Sequence, residues 1–288
     1  MSTETQHAAA GTDGTATGTS GPDGARSGRP AGAAGVTPVA PERRPTLRFL
    51  EEIRTIAPVF LDTEVDMTRV REHRAEARAR GTRYSTISYV LHAAARVLAA
   101  HPEANAAIRG RIRPVVARYP SANGKITFDT TVGGRRVVRS AVLPDLQQAG
   151  LDAVQSGVDR FRTGDPETMP EFAPSRMLQR LPWPLGQLAF RLGVRPLARR
   201  HVTVGTFAVT SLGHRPVDGF FSVGGTTITL GLGRTADRPV VRDGALAVAP
   251  VMRLNLTFDH RVIDGAEAAD VLAEIKDALE SFTTGDAA

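Results

Sequence analysis

Residues 254–265 read LNLTFDHRVIDG and join an apolar run to a polar turn. The apolar run predicts a β-strand that ends at Phe258, and residues 266–281 have the spacing of an amphipathic helix. Asp259, His260 and Arg261 follow the strand directly. A histidine held at a strand end suits proton transfer, because histidine titrates near neutral pH. The stretch therefore predicts a strand–turn–helix unit that presents His260 as a general base.

The rest of the chain predicts an alternation of helices and strands. Apolar spacing indicates helices, at residues 47–57, 67–80, 85–100 and 151–162. Apolar and β-branched runs indicate strands, at residues 58–65, 201–209, 226–232 and 252–258, with two more in 124–142 around a turn at Gly133-Gly134. This interleaving predicts an α/β domain with a mixed sheet flanked by helices.

Two segments differ in composition from this pattern. Residues 1–45 contain no Leu, Ile, Phe, Tyr or Trp, so they predict a disordered tail in front of a domain at 46–288. Residues 165–200 form a basic, proline-rich insertion, and no acid occurs from 172 to 217. A solvated surface excursion explains this insertion most simply. An anion site, a membrane-surface contact and a partner helix are the alternatives.

Composition excludes several classes of protein. The 288 residues contain no cysteine, which removes disulfides, cysteine metal sites and a thiol nucleophile. No secretory signal and no apolar run of about 18 residues is present, so we expect a cytoplasmic location and no membrane span. The net charge of +6 comes from arginine, and aromatics are 5%, so we expect no nucleic-acid partner. No spacing of histidines and acids predicts a metal site.

Several segments together resemble one family. Besides DHRVIDG at 259–265, they are GTFAVTSLG at 205–213, ITLGLG at 228–233, VDMTRV at 65–70 and HPEAN at 101–105. In this order they resemble the catalytic domain of 2-oxo acid dehydrogenase E2 components, the dihydrolipoamide acyltransferases, which are related in fold to chloramphenicol acetyltransferase. The resemblance implies a chloramphenicol acetyltransferase-like fold and a homotrimer with active sites between subunits.

The resemblance also implies roles for single residues. His260 matches the catalytic base, and Thr210 stands where a serine hydroxyl stabilises the oxyanion in the family. Asp264 matches a structural brace that pairs with an arginine of the entry segment, and the candidates are Arg44, Arg48 and Arg54. Bracing or substrate-channel roles are open for three more residues, Arg261, Ser211 and His214. His260 and Thr210 of one site would come from different chains.

The implied reaction is direct transfer of an acyl group from acyl-CoA, a co-substrate, to an acceptor, with no covalently bound cofactor. The acceptor is either a dihydrolipoyl-type thiol or a small-molecule hydroxyl. The sequence carries no recognisable lipoyl domain, and GRRVVRSA at 134–141 departs from the family pattern, which favours a free-standing enzyme with a hydroxyl acceptor. The alternatives are an E2 core subunit of a dehydrogenase complex, a non-catalytic trimeric scaffold and a binder of anionic surfaces.

Overall fold

A mixed β-sheet packed against helices organises residues 35–132 and 134–287, which are the residues that this computed structural model describes. The strands in this part are Pro58–Asp66 (β1), Ala106–Arg109 (β2), Val115–Arg118 (β3), Gly124–Val132 (β4), Arg135–Leu143 (β5), Phe207–Ser211 (β6), Ile228–Arg242 (β7) and Ala245–Asp259 (β8). The helices are Arg44–Ile53 (α1), Thr68–Ala79 (α2), Thr86–Ala100 (α3), Leu151–Thr163 (α4), Ala173–Arg180 (α5), Trp183–Val194 (α6), Leu197–Thr203 (α7) and Gly265–Glu280 (α8).

The main sheet has the strand order β1-β8-β7-β6-β4-β5. β6 runs parallel to both β4 and β7, and the other neighbours are antiparallel. β2 and β3 form a separate two-stranded sheet. The predicted α/β class with a mixed sheet is therefore confirmed.

One face of the sheet forms the hydrophobic core with the helices. Alternate residues of the central strands point to this face and are buried, among them Leu230, Leu232, Leu254, Leu256 and Phe258. The helices contribute apolar residues at helical spacing, including Leu91, Leu98, Val271, Leu272 and Ile275. Because successive strand residues alternate between faces, Thr210, which follows the core residue Val209, points to the opposite face.

The opposite face is crossed by the chain that joins β6 to β7, residues 212–227. This loop runs so close to β7 that a side chain at Gly231 would overlap the carbonyl oxygen of Phe220. A side chain at Gly233 would overlap the carbonyl oxygen of Asp218. The glycines of the ITLGLG segment therefore allow the loop to lie on the sheet.

Two segments for which the sequence predicts irregular or extended structure contain helices. Residues 201–203 end α7, so the predicted strand 201–209 is wrong in its first part and β6 begins only at Phe207. The proline-rich insertion contains α5, α6 and α7. Proline stands in the first turn of α5 and of α6, where its missing N–H is not needed, so these prolines start helices rather than break them.

Helical structure is present in the last residues of the stretch 1–45. Residues Val39–Ala288 form one compact unit, and a 3₁₀ turn at Pro41–Arg43 leads into α1, whose start lies near α5. The boundary between the tail and the domain at residue 45 stays a prediction. Residues 1–34 of that predicted tail and Gly133 of the predicted turn lie outside the described residues.

No helix in the described ranges is both long enough and apolar enough to cross a bilayer.

The close approach of the loop to β7 gives a stability prediction. Gly233→Ala should lower the free energy of unfolding by about 2–3 kcal/mol, because the added methyl group overlaps the carbonyl of Asp218. Gly193→Ala is the control: it lies in α6 with open space around it, so it should raise stability by about 0.5–1 kcal/mol. Urea unfolding measures both, and equal effects of the two changes would contradict the close packing.

Candidate active site

His260 lies in the turn that follows β8, with its position set by backbone and ring contacts. Its backbone N–H donates to the carbonyl oxygen of Ala57 at 2.9 Å, and its ring packs edge-on to the Phe258 ring, with 5.5 Å between the two centroids. Nδ1 lies 3.1 Å from the carbonyl oxygen of Ile263. A carbonyl only accepts, so Nδ1 carries the proton and Nε2 keeps its lone pair. The side chain is 47% exposed, which leaves it accessible as a base.

Asp259 is the buried acid of this turn. It is 4% exposed and accepts hydrogen bonds from the backbone and guanidinium of Arg261, the shortest being Nε to Oδ1 at 2.8 Å and Nη2 to Oδ2 at 2.5 Å. Its Oδ1 also accepts the N–H of Ala57 at 3.3 Å. Since Ala57 in turn accepts the N–H of His260, the carboxylate links the entry to β1 with the turn that carries the base.

Asp264 does not pair with any of the three predicted arginines. Its carboxylate is 90% exposed, and Oδ1 lies 3.4 Å from Nδ1 of His260. The candidate arginines bind other groups: Arg44 donates to the carbonyl of Gln179, Arg48 to that of Leu178, and Arg54 pairs with Glu51. Within the described residues of one chain the carbonyls of the segment around α5 and α6, against which α1 packs, take up two of the guanidinium groups, so the pairing of Asp264 with an arginine stays a prediction.

Thr210 lies near the end of β6 and is half-buried. Its hydroxyl accepts a hydrogen bond from that of Thr127 at 2.6 Å, which leaves the hydrogen of Thr210 free to donate elsewhere. Ser211 uses its hydroxyl locally, accepting the N–H of Gly213 at 3.3 Å. His214 is exposed on the loop that follows.

Sheet register keeps His260 and Thr210 apart within one chain. Thr210 pairs with Gly231, which pairs with Asn255, five positions before His260 on β8. Thr210 is also two strands away from β8. At the spacings of a regular sheet these offsets amount to roughly 20 Å. The two side chains therefore cannot act on one reacting group inside a single chain.

Lys125, which is buried, and Arg200, which is half-buried, lie under the end of the 212–227 loop. The Lys125 ammonium donates to the carbonyl of Gly224 and lies 4.7 Å from the centre of the Phe49 ring. Arg200 donates to the carbonyl of Gly225 at 2.7 Å. Burial, and then the nearby Arg200 charge, lower the pKa of Lys125 to about 7. The two cations hold the end of the loop that crosses the sheet.

Sequence reasoning missed three of these residues. Asp259 stood inside the quoted motif, and an acid that directly follows an apolar strand is a usable signal of a buried brace. Thr127 and Lys125 become visible only when β4 is placed beside β6, through the pairs Thr127–Thr210 and Lys125–Ala208. No group of three potential His or acid metal ligands occurs among residues 35–132 and 134–287.

The two acids of the turn should respond differently to neutralisation. Asp259→Asn should lower the free energy of unfolding by about 2 kcal/mol, because it leaves the Arg261 guanidinium without its charge partner in a partly buried site. Asp264→Asn, the matched control, should change it by less than about 0.5 kcal/mol since its carboxylate is exposed. Chemical denaturation measures both, and a larger loss for Asp264→Asn would restore the original bracing hypothesis.

The buried lysine predicts a pH-dependent stability. With its pKa lowered from 10.5 to about 7, folded Lys125 holds fewer protons than the unfolded chain above pH 7, so alkali favours folding. Stability should rise by about 3 kcal/mol between pH 7 and 9.5 through this group. Lys125→Met should remove that rise, and Lys276→Met, at the other lysine, should keep it. A flat wild-type profile in urea unfolding would mean that Lys125 is solvated.

The comparisons with known proteins agree on one family. The model of the 2-oxoacid dehydrogenases acyltransferase (catalytic domain) family matches residues 33–128 and 186–285. Among curated relatives, the dihydrolipoyllysine-residue acetyltransferase component of pyruvate dehydrogenase complex from Corynebacterium glutamicum is 27% identical over 246 residues, covering 82% of this chain and 32% of its own length. Its Bacillus subtilis counterpart is 28% identical over 236 residues, covering 77% and 44%. The chain thus spans less than half the length of these relatives.

Solved structures show the same fold at lower identity. A probable dihydrolipoamide acetyltransferase from Listeria monocytogenes superposes with a TM-score of 0.63 at 18% identity, covering 90% of this chain and 99% of that one. The dihydrolipoamide acetyltransferase of Azotobacter vinelandii has a TM-score of 0.65 at 19% identity, covering 87% and 93%. The fold expected from the resemblance is confirmed, and the family match establishes that this chain belongs to the 2-oxoacid dehydrogenase acyltransferases through their catalytic domain.

Proposed function

We propose that residues 39–288 form a CoA-dependent acyltransferase domain in which His260 is the general base. The observation that carries this proposal is the contact of Nδ1 with the carbonyl of Ile263, which orients the ring and leaves Nε2 as the proton acceptor. Family membership supplies the reaction class. The location, which we expect to be cytoplasmic, stays a prediction.

The reaction is direct transfer between CoA and an acceptor. Nε2 of His260 takes the proton of the acceptor thiol or hydroxyl, whose sulfur or oxygen attacks the thioester carbonyl of acyl-CoA. Thr210 donates its hydroxyl hydrogen to the oxyanion, while Thr127 holds that hydroxyl in place. The intermediate collapses with loss of the CoA thiolate, which takes the proton back from His260. The chain contains no cysteine, so no thiol of its own is acylated.

The working unit is a homotrimer whose sites lie between subunits. Both the base and the oxyanion donor must lie within hydrogen-bonding distance of the reacting groups. The separation of roughly 20 Å within one chain supports a site in which His260 comes from one protomer and Thr210 from the next.

Dihydrolipoamide is the first acceptor to test, since the curated relatives are named for the lipoyllysine residue. The same base also serves a hydroxyl acceptor, so a panel of small alcohols belongs beside it. A thiol acceptor would place the chain with E2 core subunits, and a hydroxyl acceptor would identify a free-standing enzyme.

Removal of either group should lower the rate of CoA release from acetyl-CoA. His260→Ala should reduce kcat about 10²–10⁴-fold by loss of the base. Thr210→Val should reduce it about 10²–10³-fold by loss of the oxyanion donor, and Thr210→Ser should retain most activity. Equal CoA release by the wild type and a trimeric His260→Ala variant would overturn the enzyme proposal and favour a scaffold.

Mixing the two inactive variants tests the shared site. When His260→Ala and Thr210→Val chains are unfolded and refolded together, random trimers should contain sites with both groups intact. About a quarter of the wild-type activity should return, because each such site needs one specific arrangement of two neighbouring chains. No recovery in mixed trimers would show that each chain builds its own site.

A further inference from the structure

The apolar side of α6, the second helix of the insertion, is exposed. Leu185, Leu188 and Leu192 of α6 are 57%, 56% and 68% exposed. At about 100° per residue these three side chains lie within an arc of roughly 60°. In a helix on the surface of a globular protein such a stripe faces the core. Its outward direction therefore points to a ligand or surface that covers it.

The helices on either side add to this apolar surface. Met177 of α5, Trp183 at the start of α6 and Val202 of α7 are also exposed. α6 contacts both α5 and α7. We call the exposed side chains of residues 177–202 the insertion surface. The family model matches residues 186–285, which include Leu188, Leu192 and Val202, and passes over residues 129–185, which include α5 and the start of α6.

A buried arginine fixes the corner between α5 and α6 on the rest of the domain. Arg48 of α1 donates to the carbonyl of Leu178 at 2.6 Å, and its guanidinium lies 5.3 Å from the centre of the Trp183 ring. Gly186 leaves the space that this guanidinium fills. The apolar stripe is therefore presented by a helix that is anchored to the domain.

Charge identifies the partner that fits this surface. The sequence contains no acid from 172 to 217. Glu52 of α1 forms ion pairs with both Arg191 and Arg195, which leaves one positive charge among the three groups. Arg180 and Arg199 are exposed, and neither forms an ion pair with a carboxylate of residues 35–132 or 134–287. The insertion surface thus combines apolar side chains with uncompensated positive charge.

We propose that the insertion surface docks the protein on an anionic phospholipid bilayer. Leucines inserted at the level of the acyl chains, a tryptophan at the interface and arginines at lipid phosphates are the combination that holds an amphipathic helix on a membrane surface. Repulsion between Arg180 and Arg199 of two copies opposes only a two-fold contact of this surface with itself, since a trimer joins different surfaces of neighbouring chains. An anionic lipid surface would bury the apolar stripe in its acyl chains and pair its phosphates with the arginines.

Flotation of the full chain with vesicles tests the proposal. The wild type should float with vesicles of phosphatidylcholine and phosphatidylglycerol, and not with phosphatidylcholine alone. The triple change Leu185→Gln, Leu188→Gln and Leu192→Gln should lower binding at least about tenfold. The double change Arg180→Gln and Arg199→Gln should lower it about fivefold per arginine, and added salt should weaken the wild type in the same direction.

Matched controls come from other exposed positions. Val241→Gln, Leu246→Gln and Val248→Gln alter apolar residues on the β7–β8 hairpin, and Arg78→Gln with Arg83→Gln removes charge near the end of α2. Both controls should bind vesicles like the wild type. Acetyl-CoA turnover, followed separately, should be unchanged in every variant, so vesicle binding can fail while the proposed catalysis stands.

The proposal is overturned if the wild type does not bind anionic vesicles, or binds them no better than its leucine variant. If the wild type fails to bind and the leucine variant also changes the oligomeric state in light scattering, the surface is assigned to a contact between copies of the chain.

Discussion

The buried carboxylate of Asp259 is the group on which the geometry of the turn depends. It lies at the end of the central strand β8, holds the Arg261 guanidinium and accepts the N–H of Ala57. Because Ala57 accepts the N–H of His260, one carboxylate connects the edge strand, the central strand and the base. A carboxylate withdrawn from water needs such partners to remain charged, so the constraint that stabilises the turn also orients it.

The polar face of the sheet is organised by the loop between β6 and β7. Gly231 and Gly233 allow this loop to lie directly on β7, and the buried Lys125 and the half-buried Arg200 bind the carbonyls at its end. The loop begins just after Thr210, on the same face. Tight packing therefore surrounds Thr210, the proposed oxyanion donor, although no residue of the loop itself has to react.

His260 and Thr210, the two proposed catalytic groups, lie far apart within one chain. His260 leaves the sheet at one end of β8, whereas Thr210 lies about five positions back and two strands across. The hydrogen bond from Thr127 positions the hydroxyl of Thr210, and the carbonyl of Ile263 orients the ring of His260, so each group is positioned independently of the other. Such a division suits an enzyme that is completed by assembly, since each protomer then presents one prepared group to its neighbour.

The sequence by itself determined the order of most helices and strands, the mixed α/β class and the turn that carries His260. These features depend on local periodicity and on a short motif, and both are signals contained in the sequence itself. Only the tertiary structure decided that Asp259 is buried and bound to Arg261, that Lys125 is buried beneath Gly224, and that the insertion is helical. Those outcomes depend on partners far away in the chain, because desolvation and packing act on neighbours in space and not in sequence.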